Sequence, residues 1–87
     1  MPDDAPPDWI QQHRWAIGTR IRAARTNREL SQVQLAELAG IDHKTISRAE
    51  NGVHPVSVDQ LARLARALGI SSAELLPGRD ETAWPTA

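Results

Sequence analysis

Short amphipathic runs alternate with turn residues along this chain, and each run has the period of a helix. Asp8 opens the first, with Gln11 three residues on as in a capping box, and Ile17, Ile21 and Ala24 on one helical face. Trp9, Ile10 and Ala16 extend that run at its start, and it is expected to end near Asn27 or Arg28. Ser31 with Gln34 starts a second helix filled by Val33, Leu35, Ala36, Leu38 and Ala39. Gly40 stops it, because glycine takes the left-handed conformation without steric cost. Asp42 caps a third helix, with Ile46 and Ala49 inward and Asn51-Gly52 at its end. Beyond the loop at Val53-His54-Pro55, Ser57 with Gln60 starts a fourth, whose inner face is Leu61, Leu64, Ala65 and Leu68. Gly69 closes it. Ser71 with Glu74 starts a last short helix carrying Leu75 and Leu76, ended by Pro77-Gly78. No segment has the period of a strand.

The pattern predicts an all-α, five-helix domain over residues 8–77, with an extended first helix. Residues 1–7 hold three prolines and two aspartates and are expected to form a disordered acidic tail. Residues 78–87 are expected to form a flexible C-terminal tail. The most informative stretch is Ser31 to Gly52, two short helices joined by a tight turn. The second of them carries His43, Lys44, Ser47 and Arg48 outward, an arrangement that places hydrogen-bonding side chains in the major groove of DNA.

Composition narrows the chemistry. Eighty-seven residues suit one domain, and the absence of cysteine excludes a disulfide framework or a thiolate site and fits a reducing compartment. No apolar run approaches the roughly 20 residues that span a bilayer. The N-terminus lacks the basic start and apolar middle of a secretory signal, so a cytoplasmic location is expected. Net charge is −1, which argues mildly against a nucleic-acid partner, but between His13 and Val58 seven Arg and Lys stand against four Asp and Glu. Such a locally basic middle is compatible with phosphate binding. His13, His43 and His54 fall on different elements with no ligand spacing, so neither a metal nor a cofactor is expected. Nothing resembles a nucleophile elbow or an oxyanion hole, so no enzyme is expected.

The segments LSQVQLAELAG, ISRAENG and LARLARALGISSAELL together resemble the Cro and phage-repressor type of helix-turn-helix domain, the Xre family, over residues 17–76. The resemblance implies that Gln32 grips a DNA phosphate at a helix N-terminus, where free N–H groups and positive potential meet an anion. It implies that Asp42, His43, Lys44 and Arg48, with Ser47 beside them, face the bases. Arginine suits guanine O6 and N7, lysine suits guanine or phosphate, and the Asp42 carboxylate can accept from cytosine as well as cap. Thr45 and His54 complete the expected phosphate contacts. Arg25 and Glu50 match a pair that ties the first helix to the end of the third. Three features depart from the family. Glu29 stands where the turn usually has glycine, His54 is the one weakly basic residue in a loop that is often basic, and the first helix is about two turns longer.

These readings converge on a sequence-specific, double-stranded DNA-binding transcriptional regulator that represses by covering its operator. One recognition helix reads only a few base pairs, so a homodimer on a pseudo-palindromic operator is expected. Its contacts are expected around Leu68, Ile70, Leu75 and Leu76, where the family often pairs, or at Trp9 and Ile10. Trp15 is expected to be a partly buried packing residue, whereas Trp84 lies in the tail. The alternative is a protein-interaction module, such as an antitoxin that holds a partner protein and represses its own operon; no membrane partner is expected.

Overall fold

Capping chemistry sets the helix boundaries in the structure, a computed structural model that describes residues 8–78. Four α-helices follow one another: α1 (Asp8–Asn27), α2 (Gln32–Ala39), α3 (His43–Glu50) and α4 (Val58–Leu68). Ser31 and Ser57 each close a reciprocal capping box with Gln34 and Gln60, and the Asp42 carboxylate accepts from the Lys44 N–H at 3.0 Å. The described residues contain no strand. Both expected tails, 1–7 and all of 78–87 but Gly78, lie outside them.

The fifth expected helix is a single 3-10 turn, Ser72–Leu75, capped by the Ser71–Glu74 box. Pro77 supplies the reason. It disfavours helical backbone in the residue before it, and Leu76 is extended at φ −97 and ψ 138. Nor does Gln11 close a box with Asp8. Asp8 is already helical, and the Gln11 amide donates to the Gly52 carbonyl at 2.8 Å, fastening the start of α1 to the end of α3.

The core is one cluster drawn from every element. Ile21, Leu35, Ile46, Leu64, Leu68 and Leu75 are its fully buried large side chains. α3 packs on α1 and α2, α2 on α4, and the 3-10 turn on α4 and α1. Val33 and Leu38, expected to help fill α2, face outward instead: an eight-residue helix between two neighbours buries only the Leu35, Ala36 and Ala39 stripe. Trp15 is 55% exposed and lies over Gly52, where a Cβ would meet its ring at 2.2 Å.

α1 ends in a Schellman arrangement: Leu30 N–H donates to the Arg25 carbonyl, Glu29 N–H to that of Thr26, and Glu29 itself sits at φ 55. It is the one non-glycine residue with positive φ among those described. Left-handed backbone crowds a Cβ against its own carbonyl. Glu29→Gly should therefore stabilise the domain by about 0.5–1 kcal/mol, net of the entropy glycine loses on folding. A higher urea midpoint with unchanged slope is the expected result; a lower midpoint would show that the Glu29 side chain contributes more than its backbone costs.

Candidate nucleic-acid interface

α3 has two unlike faces. Its inner face is Ile46, Ala49 and Glu50, all buried, and its outer face carries exposed His43, Lys44 and Arg48 with half-buried Thr45 and Ser47. Spacing explains the division. Positions 43 and 47, and 44 and 48, are one turn apart, so their side chains rise together from one side of the helix. Among the described residues, the Lys44 ammonium and the Arg48 guanidinium have no hydrogen-bond or ion-pair partner. Asp42 stands exposed at the N-terminus as the cap. Thr45 and Arg48 line a cleft of about 280 Å³ with His54 and Pro55 of the following loop and Gln60 of α4. The fold thus gathers three of the expected DNA contacts into one notch at the edge of α3.

Behind this face lies the network that holds α3. Arg25 binds Glu50 with two hydrogen bonds, Nε to Oε2 at 2.6 Å and Nη2 to Oε1 at 2.9 Å, and its remaining Nη1 donates to the Leu30 carbonyl at 2.8 Å. The Glu50 side chain is wholly buried and that of Arg25 nearly so, at 13% exposed. Two further donors reach Oε1: Gln32 at 3.1 Å, and Arg22 at 3.5 Å from a half-exposed position. Arg22 also donates to Asn51 Oδ1 at 3.1 Å. Gln32 therefore sits at the start of α2 with one amide N–H directed inward; its exposure is intermediate.

Four participants were not foreseen as site residues: Arg22, Gln11, Trp15 and Gln60. Gln11, Trp15, Gly18, Arg22 and Arg25 recur at three- and four-residue spacing on α1, and all of them meet residues 49–52 or Glu50. That spacing was the available signal. The expected dimer contacts divide. Leu68 and Leu75 are core residues, 1% and 0% exposed, and line no surface, because the short 3-10 turn folds back onto α4 and buries both. Leu76 is 40% exposed, and Ile70, Trp9 and Ile10 are half-buried.

Burial by itself pushes the Glu50 carboxyl up, but the hydrogen bonds from Arg25, Gln32 and Arg22 and the charge of Arg25 outweigh it and hold the group below its ordinary value. A depressed carboxylate stabilises the fold fully above its unfolded value of about 4.3, and that contribution is lost as pH falls towards the folded value. The expected result is a Glu50 carboxyl-carbon NMR titration with its midpoint below about 4.3, accompanied by a falling urea midpoint over the same acid range. A midpoint at or above that value would show that desolvation dominates.

Fold and site together define a small all-helical module that presents one amphipathic helix on a rigid support. The helix-turn-helix family model matches residues 21–75, so the chain belongs to the helix-turn-helix family. The match omits the first part of α1.

An HTH-type transcriptional regulator of Mycobacterium tuberculosis is 40% identical over 59 residues, which cover 68% of this chain and 41% of the relative. The immunity repressor protein of Bacillus phage phi105 is 37% identical over 60 residues, 69% of this chain and 42% of its own length. The antitoxin PezA of Streptococcus pneumoniae is 29% identical over 69 residues, covering 79% and 43%. The chain thus spans about two fifths of the length of these curated relatives. Among solved structures, the restriction-modification controller protein C.AhdI of Aeromonas hydrophila superposes with a TM-score of 0.71 and 38% identity, over 72% of this chain and 96% of that one. Hydroxypropylphosphonic acid epoxidase of S. wedmorenis also matches, with a TM-score of 0.70 at 26% identity over 77% of this chain, but over only 36% of the enzyme.

Proposed function

We propose that the chain is a sequence-specific regulator of transcription that binds double-stranded DNA and represses by seating α3 in the major groove of its operator. The observation that carries this reading is the pair Lys44 and Arg48, exposed and unpaired on the outer face of a helix whose inner face is locked by Glu50. The relatives described as transcriptional regulators and as an immunity repressor support it. Asp42, His43, Lys44, Ser47 and Arg48 are assigned to base edges, and Gln32, Thr45 and His54 to phosphates. Gln32 can serve both partners, since an amide has two N–H donors and Glu50 takes one. No residue is assigned a catalytic role or a cofactor, and the reading places the protein in the cytoplasm. On DNA it is a homodimer over two half-sites about one helical turn apart. The surfaces available for pairing are Ile70 with Leu76, or Trp9 with Ile10.

Selection from a random duplex library, followed by footprinting on the enriched site, tests the proposal. Two protected half-sites are expected. Arg48→Ala should weaken binding to that site by about 1–3 kcal/mol and relax preference at one base pair. Failure to enrich any duplex would overturn the reading, and unchanged affinity and base preference in Arg48→Ala would remove Arg48 from it.

A second reading, a protein-binding antitoxin component, is favoured by one feature. The loop after α3 exposes Val53, at 56%, and α4 opens on Val58, 82% exposed, beside a loop that is often basic in the family. Fewer phosphate contacts mean weaker, less salt-sensitive DNA binding. A stable complex recovered by pull-down, with no shift of any duplex, would favour this reading over the first.

A further inference from the structure

Between α2 and α4 runs a groove of about 740 Å³ that DNA binding through α3 does not use. Leu38, Ala39, Ala62 and Ala67 give it an apolar lining; Asp59, Arg63 and Arg66 supply its charges. Leu38 is 61% exposed there. Neither arginine has a hydrogen-bond or ion-pair partner among the described residues. Arg63 reaches back across the groove: a Cβ on Gly40, at the end of α2, would lie 3.2 Å from its Nη1. Two unpaired guanidinium groups beside an uncovered leucine call for a short segment bearing two carboxylates and one large apolar side chain.

The chain contains such a segment. Asp80, Glu81 and Trp84 lie among residues 79–87, which follow the 3-10 turn and fall outside the described residues. That 3-10 turn packs on α4, so the segment departs from beside the helix that carries both arginines. Trp84 is six residues past Gly78, a reach of roughly 20 Å when extended, which exceeds the ~16 Å length of α4. Tethering over so short a span gives an effective concentration in the mM range, so a weak contact suffices for occupancy.

We propose that the α2–α4 groove is the docking site of the chain's own acidic, aromatic C-terminal segment, with Asp80 and Glu81 facing Arg63 and Arg66 and the Trp84 indole covering Leu38. The ion pairs orient the segment, and the indole supplies most of the attraction, because exposed ion pairs alone are weak. The proposal is independent of the DNA reading.

NMR of the intact chain tests it, with Trp84→Phe used to assign the Trp84 indole apart from those of Trp9 and Trp15. Expected are a Trp84 indole N–H and amides of residues 80–84 displaced from random-coil positions, with nuclear Overhauser effects from the Trp84 ring to the Leu38 methyls. Arg63→Ser with Arg66→Ser, both exposed positions, should return those signals to random-coil values while the core resonances stay in place. Random-coil signals in the unaltered chain would overturn the proposal, as would signals indifferent to the double substitution. Overhauser effects that fade on tenfold dilution would also overturn it, since a second copy would then be the occupant.

Discussion

Arg25→Ala should destabilise the domain by about 3–5 kcal/mol, whereas Arg22→Ala should cost no more than about 1 kcal/mol. Both arginines reach Glu50, so charge counting cannot separate them. Burial does. The Glu50 side chain has no access to solvent, and Arg25 meets it with two short hydrogen bonds from a site 13% exposed. Arg22 approaches at 3.5 Å from a site 53% exposed, where water replaces it at little cost. Without Arg25 the carboxylate keeps only Gln32 and Arg22, and the Leu30 carbonyl loses its guanidinium donor. Those surviving bonds place the expected loss in the lower half of the range. Urea midpoints of the two variants check this directly. Equal midpoints would mean that the carboxylate is held by the network as a whole and not by Arg25.

Gly18→Ala is the second substitution with a large expected effect, although alanine ordinarily favours a helix over glycine by about 1 kcal/mol. A Cβ at Gly18 would lie 2.4 Å from the Ala49 carbonyl oxygen and 2.5 Å from that of Glu50. Both obstacles are backbone, so no side chain can move aside, and α1 must withdraw from α3. Overpacking of this kind costs about 1–3 kcal/mol, and the upper end is expected here. Gly69→Ala separates this effect from the cost of left-handed backbone alone, since its φ is 70 and nothing lies within 4 Å of the added Cβ. Gly18→Ala should lower the urea midpoint further than Gly69→Ala, and it alone should weaken DNA binding, because it shifts the seat of α3. Identical midpoints and intact DNA binding would show that the two helices can separate without consequence.

Gly18 also illustrates what could not be read from the chain. Within α1 it looks like an ordinary helical position, and its requirement appears only when α3 is laid across it. The same holds for Gln11. Its place three residues after Asp8 satisfies the rule for a capping box, yet the nearby Gly52 carbonyl takes its amide instead. Leu68 and Leu75 fail as surface residues for a related reason. Apolar character at the end of a chain is consistent with a dimer face or with a core, and only the return of the 3-10 turn onto α4 decides for the core. Leu38 errs in the opposite direction: its spacing admits a place on the packed side of α2, but the neighbours of α2 leave it outside.

What the sequence determined by itself is local. Ser31, Asp42 and Ser57 begin α2, α3 and α4, Gly40 and Gly69 end α2 and α4, and Asn51-Gly52 ends α3, because caps and left-handed turns are short-range chemistry between residues two to five apart. The outward placement of Lys44 and Arg48 was legible for the same reason, since helical period alone puts them opposite Ile46 and Ala49. Tertiary structure decided the rest. The Arg25–Glu50 pair was expected from the family resemblance, but that Glu50 is wholly buried and shared with Gln32 and Arg22, that Thr45, Arg48 and His54 share one cleft, and that Gly18 and Gly52 have no room for a side chain all depend on residues brought together from distant parts of the chain. Such contacts are set by burial and close approach between helices, quantities that have no value until the helices are packed.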